Sequence, residues 1–498
     1  MRARIALIAC VAVVSVAAAK QNLPTDDAAI SHVISRVTFG ARPGDLEHVR
    51  SIGIERYIDE QLHPERLPDA GVDARLADLT TLRLSSRQIA EEFEIPQAKA
   101  RQADKQAATN GADGGNAKPD EEQQRRAATV VLELQQQKIV RAIYSSRQLQ
   151  EVLVDFWFNH FNVDSRKGAD RFLLTEYERE VIRPRVFGKF RDLLEATAKS
   201  PAMLFYLDNW MSVDPNGPHL DAGRRAALGR PAIQRFFSLP ELERMQAQQK
   251  ANAPKGLNEN YGRELMELHT LGVDGGYTQK DVTEVARALT GWTVQNPRMG
   301  GPFLFNPRLH DEGPKVVLGH MIRAGGGERD GEDVLDILSR HPSTARFIAT
   351  KLARRFVSDT PPPALIDRVA ARFLETDGDL REVTRTILTS PEFFAADVLH
   401  AKIKTPFEFV VSAVRATDAE VHDARPLARQ VADLGMPLYQ CQPPTGYKDT
   451  AEAWVNTGAL VGRMNFALSL TTNKVRGVVD SQTQPDAIAL GSPAFQRR

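Results

Sequence analysis

The chain has 498 residues, 42% of them hydrophobic, and its 64 Lys and Arg are balanced by 64 Asp and Glu, a formal net charge of zero. That balance excludes the strongly basic surface through which proteins bind nucleic acid by releasing counterions. The two cysteines, Cys10 and Cys441, leave no internal disulfide once a leader carrying Cys10 is removed, so stability must come from packing.

The leader is read from the first residues. Met1-Arg2-Ala3-Arg4 is basic, residues 5–16 are apolar, and Ala17-Ala18-Ala19 are small. This pattern predicts a signal peptide over residues 1–19, too short to span a bilayer. Its cleavage takes away Arg2 and Arg4 and leaves a net charge of about −2. A second reading, acylation at Cys10 in Leu7-Ile8-Ala9-Cys10, leaves almost no apolar stretch before the cleavage point. No later stretch approaches the roughly 20 apolar residues of a membrane span. The expected product is exported, periplasmic or extracellular, with no stable membrane insertion and no nucleic-acid partner.

The elements follow in chain order. Residues 28–37 carry Ile30, Val33, Ile34 and Val37 at helical spacing. Pro43 opens a second helix that stops near Gly53, and residues 54–62 form a third. Residues 96–126 have almost no large apolar side chain and predict a flexible insertion between helices at 85–93 and 121–144. Leu149, Val152, Leu153, Phe156, Trp157 and His160 then define a central helix. Residues 187–197 and 201–207 are predicted helical, and 212–256 form surface loops. A helix at 258–271 stops at Gly272, and Thr278 with Asp281 forms a capping box for the next one. The alternation of Phe303 and Phe305, with an extended run at 315–318, predicts a small β-hairpin within 302–318. Helices at 330–339, 343–357, 364–374, 380–388 and 407–415 are punctuated by prolines. Pro443-Pro444-Thr445-Gly446 is a rigid loop before a last helix at 451–470, and the polar end is expected to be loose. The fold class is mainly α: a single helical domain over 20–475, with a flexible tail at 476–498.

Several segments carry a family resemblance together. They are Ser31-His32-Val33-Ile34-Ser35-Arg36-Val37-Thr38-Phe39-Gly40, Asp155-Phe156-Trp157-Phe158-Asn159-His160-Phe161, and the stretch 258–292 containing Asn260-Tyr261-Gly262-Arg263-Glu264-Leu265-Met266-Glu267-Leu268-His269-Thr270-Leu271-Gly272-Val273. His310-Asp311, Lys315 and the Pro443-Pro444 loop complete the set. The chain resembles the bacterial family named domain of unknown function 1800, from about residue 31 to 470. Tyr447 stands where many members have Trp. The resemblance implies an exported helical protein, often encoded beside a second exported family, and implies no activity.

The polar residues of these segments are the candidates for chemistry. On a straight helix Glu264 lies about 40° from Leu268 and borders the buried face, whereas His269 lies about 140° away, so the two cannot share an ion without help. Catalytic candidates are Glu264, His160, His310 and Asp311, and the candidate ligands of a divalent metal are Glu264, His160 and His310. Against this, a buried Glu near Arg263 or Arg287 reads as a structural ion pair, and a His on an apolar face reads as a cap on a backbone carbonyl. An EF-hand fails because Gly276 and Val285 occupy ligand positions. Gly325-Gly326-Gly327 lacks the Lys-Ser/Thr of a phosphate loop, and no nucleophile elbow or zinc-spaced cysteine pair occurs. Trp454 packs on the Pro loop or lines a carbohydrate groove. Two functions are carried forward. One is a binding or assembly protein acting with another exported protein on an envelope or extracellular polymer or a small molecule. The other is a metal-assisted or carboxylate-based hydrolase using Glu264 with His160, His310 and Asp311.

Overall fold

Helices dominate because apolar side chains recur at 3.6-residue spacing and because caps are supplied where the helices begin. The computed structural model describes residues 23–100, 118–216, 256–480 and 485–498. The proposed signal peptide, residues 101–117 of the expected insertion, and residues 217–255 lie outside the described residues. The first described helix, Asp27–Val37, starts where the Asp26 side chain accepts from the Ala29 N–H at 3.0 Å and buries Ile30, Val33, Ile34 and Val37. The longest, Lys118–Tyr144, runs beside the Pro406–Ala416 helix and the Arg425–Asp433 helix. The Gln148–His160 helix lies at the centre, with Leu149, Val152, Leu153 and Trp157 fully inside. Burial of each such side chain contributes roughly 1.5–3 kcal/mol.

One contiguous apolar core runs from Ala29 to Leu490, and Ile89, Ala127, Val130 and Phe172 form a small satellite. Near the middle of the chain, the helix begun at Glu259–Glu264 widens into a π-helical segment, Leu265–Thr270. The Leu271 N–H reaches back five residues to the Met266 carbonyl at 2.7 Å, and the Thr270 hydroxyl to the Leu265 carbonyl at 2.8 Å. The wider turn changes the angular phase, so the straight-helix angles between Glu264 and His269 do not apply.

Four expectations are corrected. The single hairpin at 302–318 is two separate hairpins. Phe303–Phe305 pairs antiparallel with Trp292–Val294, and Lys315–Val317 pairs with His320–Ile322. The second turn is Leu318-Gly319, both at positive φ, the two-residue geometry that matches strand twist. Of the expected insertion at 96–126, residues 96–100 and 118–126 are helical: Ala127 and Val130 anchor the later segment against Ile89 and Phe172. The chain end is not loose. Val478–Val479 pairs with Glu420–Val421, the Ala487–Gly491 helix packs on the Thr457–Thr471 helix, and Arg498 is buried. The last long helix starts at Thr457, not 451, because the Asn456 side chain caps it by accepting from the Ala459 N–H.

The core holds titratable groups whose ionisation is opposed by burial. His32, packed at 4.6 Å against Phe393, and His269 are each pushed down to about 3, and His160 falls well below its usual value, all mainly by desolvation. These rings stay neutral in the fold while the unfolded chain takes up protons below about pH 6.5. Each therefore removes stability as pH falls, by about 1.4 kcal/mol per pH unit. Asp170, whose carboxyl burial drives upward, acts in the opposite sense. Urea unfolding is expected to show stability falling between pH 6.5 and 5, and His32→Phe should make the fall shallower by about 1.4 kcal/mol per unit. Identical slopes for the two proteins would contradict this account.

Candidate functional site

A cavity of about 390 Å³ opens where the C-terminal end of the Gln148–His160 helix, the Pro342–Phe356 helix and the segment after Pro443-Pro444 meet. Each wall has a local cause. The Pro342–Phe356 helix starts with Pro at its first position and the His341 ring accepting from the Ser343 N–H. Ile348, Leu352 and Phe356 bury its apolar stripe, and this sets Lys351 and Arg355, one turn apart, along the cavity.

The loop wall is held by side chains of the central helix. The Asn159 amide donates to the Tyr447 carbonyl at 2.8 Å and its oxygen accepts from the Tyr447 N–H at 2.7 Å, so one side chain pairs with that backbone as a neighbouring strand would. The Asn162 amide donates to the Cys441 and Pro443 carbonyls, both at 2.9 Å. Gly446 sits at φ +72°, where a Cβ would lie 2.2 Å from the Asn159 carbonyl oxygen. Trp454 packs on Tyr447, with ring centroids 6.0 Å apart, and donates to the Lys448 carbonyl. Cys441 is buried beside this loop and burial pushes its thiol up to about 11, which leaves little thiolate at neutral pH.

Residues that line the cavity carry hydrogen-bond donors left uncommitted among the described residues. Arg355 is 4% exposed and spends Nη1 on Glu408 at 2.6 Å, while its Nε and Nη2 have no hydrogen-bond partner among the described residues. Lys351 Nζ makes no hydrogen bond or ion pair among the described residues and stands 5.5 Å from the Phe347 ring centroid. Burial first, then Arg354, pull its ammonium down to about 8, and Asp449 resists. The Thr450 hydroxyl is buried and has no hydrogen-bond partner among the described residues. The nearby carboxylates are committed to other cations: Asp155 to Lys138 at 2.7 Å and Asp449 to Lys402 at 3.2 Å.

Of the residues singled out from sequence, only His160 lines this cavity; Glu264, His310 and Asp311 do not. The His160 Nε2–H donates to the His269 carbonyl at 3.1 Å, and its Nδ1 has no partner among the described residues. Glu264 is half-buried without an ion pair among the described residues, and burial, with Glu267 nearby, raises its carboxyl. Arg263 donates to Gln279 instead, and Arg287 holds Glu284 and Asp311.

His310 and Asp311 belong to a different network. The His310 Nδ1–H donates to the Thr290 carbonyl at 2.8 Å, and its Nε2 lies 3.2 Å from the Asp330 carboxylate, which also receives Lys315 at 2.6 Å. Arg287 clamps Asp311 with two contacts, 2.7 and 3.0 Å. All four members of the His310, Lys315, Asp330 and Asp311 group are buried, and they fasten the second hairpin to the helices beneath it. Among the described residues no group of three His, Cys, Asp or Glu side chains converges to hold an ion. The ligand set Glu264, His160 and His310 is not brought together.

Lys351, Arg355 and Thr450 were missed from sequence. The available trace was the pair of cations at i and i+4 in Lys351-Leu352-Ala353-Arg354-Arg355, next to the buried face of an amphipathic helix. Removing the loop's anchor tests the architecture: Asn159→Ala and Gly446→Ala are each expected to cost about 1–3 kcal/mol in urea unfolding. Losses under about 0.5 kcal/mol would show that the loop is held otherwise.

Comparison with known proteins adds one match. A family model described as a protein of unknown function (DUF1800) matches residues 32–493. No curated protein matches the chain, and no solved structure matches it.

Proposed function

Because this chain belongs to the DUF1800 family, whose description carries no activity, we propose from the cavity itself that it is an exported binding protein taking an oxyanion. The carboxylate, phosphate or sulfate belongs to a small molecule or to an envelope or extracellular polymer, and the protein works beside another exported protein. Export rests on the basic, apolar and small-residue succession of residues 1–19. Among the described residues no helix is long and apolar enough to cross a membrane.

The observation that carries the binding reading is Arg355. The residue lines the cavity and its guanidinium is more than nine-tenths buried, yet Nε and Nη2 have no partner among the described residues. A buried donor left unpaired costs about 1–3 kcal/mol, and an oxyanion with several lone pairs satisfies two N–H groups of one guanidinium at once. Lys351 adds charge and Thr450 a hydroxyl on the same walls. The hydrolase reading has no comparable support. Glu264, His310 and Asp311 lie away from His160's cavity, and His310 and Asp311 are already engaged with Arg287, Asp330 and Lys315.

Titration calorimetry with sulfate, phosphate and acetate at constant ionic strength tests the proposal. Saturable binding of at least one anion is expected, weakened about ten-fold, or 1.4 kcal/mol, in Lys351→Met. Arg346→Ala, exposed on the same helix, should leave it unchanged. Heats that track ionic strength alone, or equal affinity in Lys351→Met, would overturn the reading.

A further inference from the structure

We propose that Lys351 is a nucleophile that forms an imine with the aldehyde or keto group of an acidic ligand whose oxyanion is held by Arg355. The inference rests on the oxyanion reading of the cavity and names the ligand class as oxo acids, including sugar acids in their open carbonyl form.

Three features carry it. Lys351 Nζ is uncommitted: neither a carboxylate nor a carbonyl among the described residues takes its hydrogens, and the Phe347 ring lies beneath it. It shares cavity walls with Arg355, one helical turn on, whose Nε and Nη2 are buried and unpaired among the described residues. The cavity, about 390 Å³, has room for a small ligand held at both ends. A lysine becomes nucleophilic when burial or a neighbouring cation disfavours its charge. Both act here, with Arg354 as the neighbour, so about a tenth of the amine is neutral at pH 7. The neighbouring His160 Nδ1, held neutral by burial, serves as a hydrogen-bond acceptor.

The step balances without a redox partner. The Lys351 lone pair attacks the carbonyl carbon, a C–N bond forms, and the C–O π pair moves to oxygen, which takes a proton. The carbinolamine then expels that oxygen as water while nitrogen loses its hydrogens to solvent. One amine and one carbonyl give one imine and one water.

The test is reductive trapping of the intact wild-type protein with glyoxylate or pyruvate and cyanoborohydride, read by intact mass and peptide mapping. A single adduct is expected on the Lys351 peptide, formed at least about ten-fold faster than on exposed lysines. Excess sulfate should suppress it, and it should be absent from Lys351→Arg. Labelling spread over surface lysines overturns the imine proposal. So does Lys351 labelling that is equal for glyoxylate and acetaldehyde and indifferent to sulfate. Because mapping uses the wild type, the result stands even where the variant does not fold. Sulfate binding by calorimetry without trapping at Lys351 removes the imine and leaves the oxyanion site. Absence of both removes the two together.

Discussion

Glu408 is a carboxylate buried among arginines. Its Oε1 meets Arg355 Nη1 at 2.6 Å and Arg498 Nε at 3.1 Å, and its Oε2 accepts the Thr405 N–H at 2.8 Å. It therefore caps the Pro406–Ala416 helix and neutralises two buried guanidinium groups at once. The arginines win against desolvation and hold its carboxyl down to about 2. Removing one partner from a buried pair of this kind costs about 3–5 kcal/mol, chiefly because the other charge is stranded. Arg355 keeps its place in the cavity wall through this contact, and Arg498 donates to the Arg355 carbonyl, so the last residue of the chain braces the site.

The two polar clusters of the core differ in how completely they are satisfied. Around His310, the Thr290 carbonyl, Asp330, Lys315, Asp311 and Arg287 exchange hydrogen bonds at 2.6–3.2 Å. These bonds rigidify the hairpin, and of the carboxylate oxygens in the group Asp330 Oδ1 is left without a partner among the described residues. The cavity beside His160 has the opposite character. Asp155 and Asp449 are turned to Lys138 and Lys402, while Lys351, Arg355 and Thr450 keep donors that are free among the described residues. The uneven satisfaction, more than the residue types, separates the structural cluster from the proposed binding site.

Much of the helical scaffold was legible because Leu149, Val152, Leu153, Phe156 and Trp157 repeat at one period and bury as that period requires. The strand pairing was not. Trp292–Val294 follows directly on a helix, and three residues give too short a run for alternation to register. The π-helical turn was also illegible, since widening a turn changes the phase without changing the apolar pattern. In the site, Asn159-His160 and the Pro443-Pro444 loop drew notice, and both border the cavity or hold it. Lys351 and Arg355 were hidden because their long stems sit beside the apolar stripe like any snorkelling cation. Glu264 was conspicuous in sequence, yet lies off the cavity.

The grip of Asn159 on Tyr447 has a wider consequence. Both hydrogen bonds go to main-chain atoms, so the rim is located by the peptide unit and not by the side chains it displays. Thr445, Lys448 and Thr450 project from a frame whose position does not depend on their identity. Exchanges there can remodel the mouth of the cavity, its width and its charge, while the scaffold stays where it is. A fold arranged in this way can change the lining of its cavity at little cost in stability.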